Sequence, residues 1–444
     1  MKLFLITSFL LSFFTLHAAE EKKVITIKEA IELAKKNNLE IKAETYKAPI
    51  AETDLTLIRG EIFPKINATA GIGPINGKSG NVLGYHDTNT WGTEWIASIE
   101  AKIPLFVWGR SDNLKHAVEL NTEINRLDVT IKEQEIVYKL KEAYYGWQYA
   151  LSLLDFVSET QKDLEQAIKA LEEKKGSKKE DILRLEVFKY QVQEKKIEIE
   201  KSVKLAQMGV GYYIGLNLKA DLTSSIQNER EWIEVDAREL KDFDHYLNLM
   251  NAHYPDIVKV GKGIEAKSEL LSSEKKSQLP AFGALVKYDY AYTDQRSAQN
   301  NPFAYDPYNK SDVAVGVGLT WDIDFGVKQS KIDKLHLEIA ELKSKEALAH
   351  EGLKVLLNKS YMEVKEAEMK AETLKKAYKS AKRWLTNIGT SVSLGLTPAK
   401  DIVDAYTTRA LVFKDYYESL YHYHMAWASM SRSTGVEVDP LLAP

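Results

Sequence analysis

Two carboxylates stand three residues apart in the segment DIVDA, at Asp401 and Asp404. The segment follows the turn sequence SLGLTP and opens a predicted helix, so the two side chains share one helical face. Acids in a first helical turn stabilise its positive end by about 0.3–1 kcal/mol each. In a symmetric assembly the same pair would contribute to a ring of carboxylates, which favours cations and impedes anions. The spacing alone leaves both interpretations open.

Signatures of catalysis and of metal binding are missing from the sequence. The segment NGKSG lacks the leading glycine of a phosphate-binding loop, because Ile72 occupies that position. HEGLK at His350 has no second histidine four residues later, which a zinc-protease helix requires. His422 and His424 are two residues apart in a predicted helix and therefore point to different faces. We predict no catalytic residue, no cofactor and no metal site, and hence no enzyme.

Length and charge limit the class of protein. A chain of 444 residues is too long for one compact core, so it is multidomain, repeated or elongated. Its 60 basic and 64 acidic residues give a net charge of −4, which offers no basic surface for nucleic acid. The absence of cysteine excludes disulfides and a lipoprotein anchor.

The first 19 residues have the organisation of a secretory signal peptide. Lys2 supplies a positive charge, an apolar run extends from Leu3 to Leu16, and Ala18 and Ala19 are small residues before a charged stretch. No later run approaches eighteen consecutive apolar residues, so we predict no helix that crosses a bilayer.

An internal repeat organises the rest of the chain. Residues 37–68 align with residues 253–284 at one constant offset, which places Pro64 over Pro280. Tyr144 and Asp181 align with Tyr361 and Asp401 at nearly the same offset. We therefore predict two copies of one unit, over residues 20–242 and 243–444.

Each copy contains two segments in which apolar and polar residues alternate, which predicts β-strands. The predicted strands are residues 64–74, 92–106, 280–293 and 311–325. In the last one, Val313, Val315, Val317 and Leu319 alternate with residues that include Asp312 and Thr320. Aromatic residues stand near the apolar ends, and the polar series holds several charges. This pattern favours strands of a membrane β-barrel over a half-buried sheet of a soluble domain.

Four strands cannot close a barrel, and an open edge in lipid costs several kcal/mol for each unpaired backbone group. Three copies provide 3 × 4 = 12 strands, an even number that can close, so we predict a homotrimer in contact with outer membrane lipid. Two segments rich in Gly, Asn and Asp, residues 74–92 and 293–311, are predicted to be the loops between paired strands.

Helical segments should join these strands. Pro64, Pro104 and Pro280 lie where helical and strand patterns meet, and Gly109 and Gly326 close the remaining junctions. Apolar residues spaced three and four apart predict long helical hairpins over residues 110–215 and 328–434. Each hairpin turns into a return helix, for which Asp181 and Thr397 suit the N-cap position.

Four motifs, in order within this duplicated frame, give the chain a resemblance to a known family. They are ITIKEAIELAKKNNLEIKA, IFPKINATAGI, IPLFVWGR and GLTPAKDIVDA, and the chain that carries them resembles the TolC-like outer membrane efflux proteins over essentially its mature length. The resemblance implies a mainly α fold with β: a twelve-stranded trimeric β-barrel in the outer membrane, continuing into a periplasmic α-helical barrel. It also implies an exit duct for tripartite efflux pumps or type I secretion, with a periplasmic adaptor and an inner-membrane transporter as partners.

The resemblance further implies that Asp401 and Asp404 constrict the periplasmic tip of the duct, since they match the family's aspartate pair. The sequence departs from the best-known member, which has an arginine four residues and a tyrosine nine residues before the first aspartate. Thr397 and Val392 occupy those positions here. Asp181, Lys178 and Lys179 in the first hairpin are possible tip contacts that would replace them.

Two other interpretations belong to different classes. A trimeric coiled-coil adhesin or periplasmic spacer would share the export signal, the long helices and the oligomerisation, but does not explain four amphipathic strands in duplicate. A soluble periplasmic enzyme would need convergent polar residues, which the sequence does not show.

Overall fold

A computed structural model describes residues 23–81, 84–173, 178–216, 226–228, 232, 239–295, 303, 305–393, 399–439 and 442. The predicted signal peptide, residues 1–19, and Thr397 lie outside the described residues. In chain order the described helices are α1 (Ile27–Asn37), α2 (Leu39–Thr45), α3 (Lys47–Ile62), α4 (Arg110–Glu173), α5 (Lys179–Tyr213), α6 (Phe243–His253), α7 (Pro255–Lys276), α8 (Val327–Ser393) and α9 (Ala399–Thr434). The described strands are β1 (Lys23–Ile25), β2 (Lys65–Asn81), β3 (Gly84–Phe106), β4 (Ile226–Asn228), β5 (Ala281–Thr293) and β6 (Lys310–Thr320).

Two very long helices carry the body of the molecule. α4 has 64 residues and α8 has 67. At a rise of 1.5 Å per residue each is roughly 100 Å long. Their apolar residues recur at three- and four-residue intervals, so one face stays apolar along the whole length and packs against the shorter helices.

The helices stand side by side in four columns. α3 and α5 pack against α4 near its start and its end, and α7 and α9 pack between α4 and α8 in the same way. The order across the molecule is therefore α3 with α5, then α4, then α7 with α9, then α8. In the half of the helical body that lies away from the sheet, α5 and α8 are therefore the outermost helices.

Near the middle of the molecule, small elements cover one side of these columns. α1 begins at a capping box, in which the Thr26 hydroxyl accepts a hydrogen bond from the Glu29 backbone and the Glu29 carboxylate accepts one from the Thr26 backbone. The apolar side of α1 packs on Ile136, Leu140 and Tyr144 of α4. α6 packs in the same manner on α8 and α9.

A parallel pair of short strands fastens this layer to α4. β1 pairs with β4, about 200 residues later in the chain. The Tyr144 hydroxyl donates to the Ile25 carbonyl at 3.0 Å, and the Asn228 side-chain amide donates to the Tyr144 carbonyl at 3.0 Å. The hydroxyl and the backbone carbonyl of buried Tyr144 thus hold both strands of the β1–β4 pair against α4.

Corresponding elements of the two halves have matching bounds. α1 and α6 both have 11 residues, and they end at Asn37 and His253. Gly215 and Gly435, which follow α5 and α9, both have positive φ, of 74° and 78°. A Cβ at these positions would lie 2.7 Å from the Asn37 carbonyl oxygen and 2.6 Å from that of His253. Glycine is required at both places by conformation and by space.

The main sheet has the order β2-β3-β5-β6 and is antiparallel throughout. The first strand pair is longer than expected: β2 includes residues 74–81 and β3 includes residues 84–92, a region predicted to be a loop. Ile75 still pairs with Gly92 and Ser79 with His86, with a register irregularity between Asn76 and Lys78. Glycine and asparagine weaken a strand, but a two-stranded ribbon tolerates them.

The last strand is shorter than expected. β6 ends at Thr320 and not near residue 325, because Thr320 pairs with Ala281, the first residue of β5. The preceding Pro280 has no N–H group, so the ladder has no further donor on that strand. Trp321 and Ile323 continue the apolar alternation in the sequence without belonging to the strand.

The junctions follow the prediction in part. Pro64 and Pro280 directly precede β2 and β5, as expected. Pro104 does not lie at a junction: it is inside β3, next to a register shift where the missing donor is tolerated. The turn into α4 is made instead by Trp108 and Gly109, with φ of 60° and 73°. Gly326, with φ of 108°, precedes α8.

None of the helices in the described ranges is both long and apolar enough to cross a membrane.

Replacing Gly326 by Ala should lower the stability of the protein. Its φ of 108° is outside the regions that L-residues occupy, although no atom lies within 4 Å of an added Cβ. The penalty is therefore conformational, about 1–2 kcal/mol. The apparent melting temperature in detergent, followed by circular dichroism, measures it. Gly73→Ala is the control, since Gly73 is equally open and has no positive φ. Equal melting temperatures for the two variants would contradict the strain.

Candidate functional site

The four-stranded sheet has one apolar face that crosses all its strands. In register, Ala68 pairs with Ile99, Ile99 with Tyr288, and Tyr288 with Val313. The neighbouring rows on this face have the same character, and their side chains are exposed, Val317 to 82%. An apolar surface of this extent in water would be unfavourable, so this face is suited to a non-aqueous environment.

The opposite face is polar, and two pairs of its charges are in contact. Asn67, Glu100, Lys287 and Ala314 form one row across the sheet, and Thr69, Ser98, Asp289 and Asp312 form the next. Lys102 contacts Glu100 at 2.7 Å, and Lys287 contacts Asp289 at 2.8 Å. This face is suited to water, and the two faces together match the strands predicted from the alternation.

Two tryptophans mark the boundary between sheet and helices. The indole N–H of Trp108 donates to the Pro280 carbonyl at 2.8 Å, and that of Trp321 donates to the Gln278 carbonyl at 3.0 Å. Their polar atoms are thus satisfied by the backbone, while both side chains remain exposed. Such rings are favourable at the border of an apolar layer with water.

The far ends of the helical hairpins carry the predicted aspartates. Asp401 lies in the first turn of α9 and is half-buried, and Asp404, one turn later, is exposed. Ile402 and Ala405 between and beside them are buried, so the aspartates are on the outer side of the helix. Both predicted residues therefore occupy the end of the molecule farthest from the sheet.

The other predicted tip residues lie at the start of α5. Lys178 is the N-cap residue, with no side-chain cap hydrogen bond, and Lys179 is exposed. Asp181 is not the N-cap that we predicted: it is the third residue of the helix, and its backbone N–H bonds to the Lys178 carbonyl. Its carboxylate can still stabilise the positive helix end. Among the described residues, Asp181, Asp401 and Asp404 form no ion pair.

A small apolar core joins the ends of all four long helices. Its buried members are Leu164, Ile168, Leu185, Val392, Ile402 and Tyr406. Val392, at the position where the best-known relative has a tyrosine, is therefore part of this core. Neighbouring hairpins are held together at the tip by apolar packing.

Above this core, a buried arginine links the two hairpins. The Arg409 side chain on α9 is only 6% exposed. Its guanidinium contacts Glu159 at 3.2 Å and Asp163 at 4.0 Å, both on α4, and lies 4.9 Å above the Phe156 ring. One cation therefore bridges to two carboxylates of the other hairpin.

Burial changes the pKa values of the groups around this arginine. Burial raises the pKa of Asp163, and the Glu159 carboxylate raises it further, while Arg409 acts in the opposite direction. Burial, together with Asp163, raises the pKa of Tyr406 to about 12. The tyrosine hydroxyl at the tip core therefore remains neutral at physiological pH.

Sequence reasoning did not identify Arg409, although a signal was present. Arg409 continues the apolar series Ile402, Tyr406 and Phe413 at intervals of three and four residues. A charged residue on the buried stripe of a helix needs a partner on the neighbouring helix. That partner could not be named before the packing of α4 on α9 was known.

The two histidines considered for metal binding occupy different environments. His424 is buried and stacks on Tyr145 at 4.4 Å between ring centres. His422 is exposed, with Glu418 3.9 Å away. In the described part of the chain, no cluster of three metal-ligating side chains is present.

Arg409→Gln should loosen the end of the molecule without unfolding the sheet. The substitution removes the cation that Glu159 and Asp163 contact. Because these carboxylates are 61% and 39% exposed, water screens the lost contacts and the cost is about 1 kcal/mol. We expect faster proteolysis near residues 174–177 and 394–398, measured by mass spectrometry. Arg383→Gln, on the exposed side of α8, is the control. Equal cleavage rates in the two variants would exclude this role for Arg409.

Comparison with known proteins agrees with this architecture. Residues 30–178 match the family model of the outer membrane efflux proteins. No curated protein matches the chain in sequence.

Solved structures of outer membrane channels have the same fold. CusC, described in connection with transmembrane channel formation, is 13% identical with a TM-score of 0.75, and 92% of each chain is covered. The CmeC outer membrane channel of Campylobacter jejuni is 12% identical with a TM-score of 0.74, covering 92% of this chain and 85% of that one. The open state of the MtrE outer membrane channel of Neisseria gonorrhoeae is 13% identical with a TM-score of 0.73, covering 93% and 89%.

The sequence match and the shared fold confirm the resemblance predicted from the motifs. Over residues 30–178 the chain matches the outer membrane efflux proteins, and over most of its length it has the fold of solved outer membrane channels.

Proposed function

We propose that three copies of this chain form the exit duct of a tripartite efflux or type I secretion system. Transport through the duct is passive and is coupled to an inner-membrane transporter through a periplasmic adaptor. One observation carries the proposal. The sheet has unpaired edge strands, and the helical body has exposed apolar helices, at the same two sides, so identical copies can join there into a closed ring.

The open sides of the sheet are β2 and β6. Each of them pairs with a single neighbouring strand in the chain. Edge strands surrounded by lipid would leave their backbone groups without partners. If β6 of one copy pairs with β2 of the next, three copies give 3 × 4 = 12 strands with no free edge.

The open sides of the helical body are α5 and α8, and each carries an exposed apolar stripe. On α5 the stripe consists of Leu183, Val187, Tyr190, Ile197, Leu205, Met208 and Tyr212. On α8 it consists of Leu337, Leu348, Val355, Met362, Met369 and Trp384. At 100° per residue, the members of each stripe lie within about 40° of one line along the helix.

These stripes have the spacing of a helix–helix contact. Leu348, Val355, Met362 and Met369 are seven residues apart in succession, as in a coiled-coil seam. A contact between α5 of one copy and α8 of the next is heterologous, and such contacts form rings when the rotation closes. One rotation would join both the sheets and the helices of neighbouring copies. This follows because β2 and α5 lie at one side of the chain, and β6 and α8 lie at the other.

The two faces of the sheet support a duct through the outer membrane. In a closed barrel the apolar face contacts lipid and the polar face lines water. The helical columns then extend the passage roughly 100 Å into the periplasm. There the tip would meet the adaptor, which Lys178, Lys179 and Asp181 could contact.

The aspartates at the tip are proposed to act as a selectivity ring. Threefold symmetry would bring the six carboxylates of Asp401 and Asp404 to the narrow end of the passage. A ring of this charge favours cations. The absence of an ion pair among the described residues at either aspartate leaves both charges available to solutes.

The first experiment is a measurement of mass and conductance. The mature chain, purified in detergent, should be a trimer by light scattering and should open ion-conducting pores in a planar bilayer. A soluble species without conductance would contradict the duct and would favour the alternative of a coiled-coil adhesin or spacer.

Ile197→Glu should weaken the trimer. The substitution places a charge in the middle of the α5 stripe, where the α8 stripe of another copy would desolvate it. We expect a loss of affinity between copies of about 2–3 kcal/mol per contact, visible as monomer in light scattering of diluted samples. Gln191→Glu is the control, since it adds the same charge to the same helix away from the stripe. Equal trimer fractions for both variants would remove α5 from the interface.

Replacing both Asp401 and Asp404 by Ala should reduce cation selectivity. The double variant removes six negative charges from the proposed ring, so the reversal potential in a salt gradient should shift toward zero and block by multivalent cations should weaken. Asp333→Ala, on α8 near the sheet, serves as the control. Unchanged permeation in the double variant would place the aspartates outside the pore.

A further inference from the structure

The polar face of the sheet has an unusual end row next to the helices. Lys65, the first residue of β2, is directly opposite Lys102 of β3. Leu285 and Gly316 complete the row on β5 and β6. Like charges placed directly opposite each other destabilise a strand pair. A position at which a sheet carries such a cost is a candidate for a functional role.

The charges of this row are only partly compensated. Lys102 contacts Glu100 at 2.7 Å. Lys287, which is opposite Glu100, is paired with Asp289 of the following row. Among the described side chains, no carboxylate forms an ion pair with Lys65. This end of the polar face therefore has two ammonium groups and only one carboxylate in contact with either of them.

The row borders an open concavity of about 490 Å³. Its other walls are the exposed ring of Phe63, the glycines Gly283, Gly316 and Gly318, and larger apolar residues that include Leu285. No atom lies within 4 Å of a Cβ added at Gly316 or Gly318. The space in front of the lysines is therefore large enough for a solute group, and side chains of these strands do not fill it.

We propose that Lys65 and Lys102 form a binding site for the phosphate or carboxylate groups of anionic solutes. The inference rests on the proposed function, because the polar face must line the duct for solutes to reach the site. Ammonium groups are point-charge donors that bind such anions without a fixed geometry. In a trimer the site would occur three times, with six ammonium groups at the other end of the helical part of the passage from Asp401 and Asp404.

This arrangement gives the two ends of the helical part of the duct opposite charge. A ring of carboxylates at the tip impedes anions, and a ring of lysines where helices meet sheet attracts them. An anionic solute that has passed the tip would be retained by the lysines and released outward along the sheet, where Lys287 is paired with Asp289. The site therefore deepens the proposed function by assigning a class of solute to one level of the passage.

Inorganic pyrophosphate is the probe for this site. In planar bilayers containing the trimer, dissolved pyrophosphate should reduce the current, and the variant with Lys65→Gln and Lys102→Gln should require about tenfold more of it for half block. Lys310→Gln is the control. It removes a lysine from the same face of the sheet, at a position six residues before Gly316 in β6. It should leave the half-block concentration nearly unchanged.

A second variant tests the concavity and keeps both lysines. Gly316→Val fills the space in front of them, so block should weaken although the charge is unaltered. Its conductance without pyrophosphate shows that the channel has assembled.

Each result separates the site from the duct. A conducting trimer in which the lysine variant is blocked like the wild type, or in which Lys310→Gln weakens block equally, overturns the site and leaves the duct standing. A wild-type chain without conductance overturns the proposed function itself. A current that depends on the anionic lipid content of the bilayer and not on pyrophosphate would assign the lysines to lipid headgroups and overturn the solute site.

Discussion

The packing of α4 against the second half of the chain is the interaction on which the remaining structure depends. In the sheet, β3 pairs with β5. Below it, Lys259 and Lys262 of α7 contact Asp128 and Glu123 of α4. Farther down, aromatic stacking of α4 on α9 includes Phe156 on Phe413, 4.0 Å between ring centres, and the contact continues past Arg409 into the apolar core at the tip. This continuous joint makes one wall from the elements of the first and second halves of the chain.

The same joint determines which surfaces are left for other molecules. Because first-half and second-half elements meet in the middle, the unpaired edges β2 and β6 and the apolar stripes of α5 and α8 are all at the two outer sides. The middle of the wall is further braced by the C-terminal segment: Glu437 pairs at 2.6 Å with Lys141, whose side chain is 3% exposed. A buried cation of this kind is retained only with its partner, which ties the end of the chain to α4.

Much of the architecture could be predicted from periodicity, and the errors have physical causes. Alternation identified the strand segments, but the extension of β2 over residues 74–81 and of β3 over residues 84–92 depends on cross-strand hydrogen bonds that composition does not report. The end of β6 at Thr320 was set by its partner strand, and the alternation at Trp321 and Ile323 could not indicate it. Arg409 was visible as a charge on an apolar stripe, while Glu159 and Asp163 were unremarkable acids 250 and 246 residues away.

The sequence by itself determined the elements and their order: long helices from spacing of three and four, strands from spacing of two, and the resemblance to the outer membrane efflux proteins from motifs in a fixed order. These properties depend on neighbours in the chain, which the sequence displays directly. Only the tertiary structure decided which residues face each other across the sheet and across the columns. Lys65 opposite Lys102, Arg409 against Glu159, and the stripes of α5 and α8 are relations between distant segments, and their energies arise from register and packing, which local patterns do not contain.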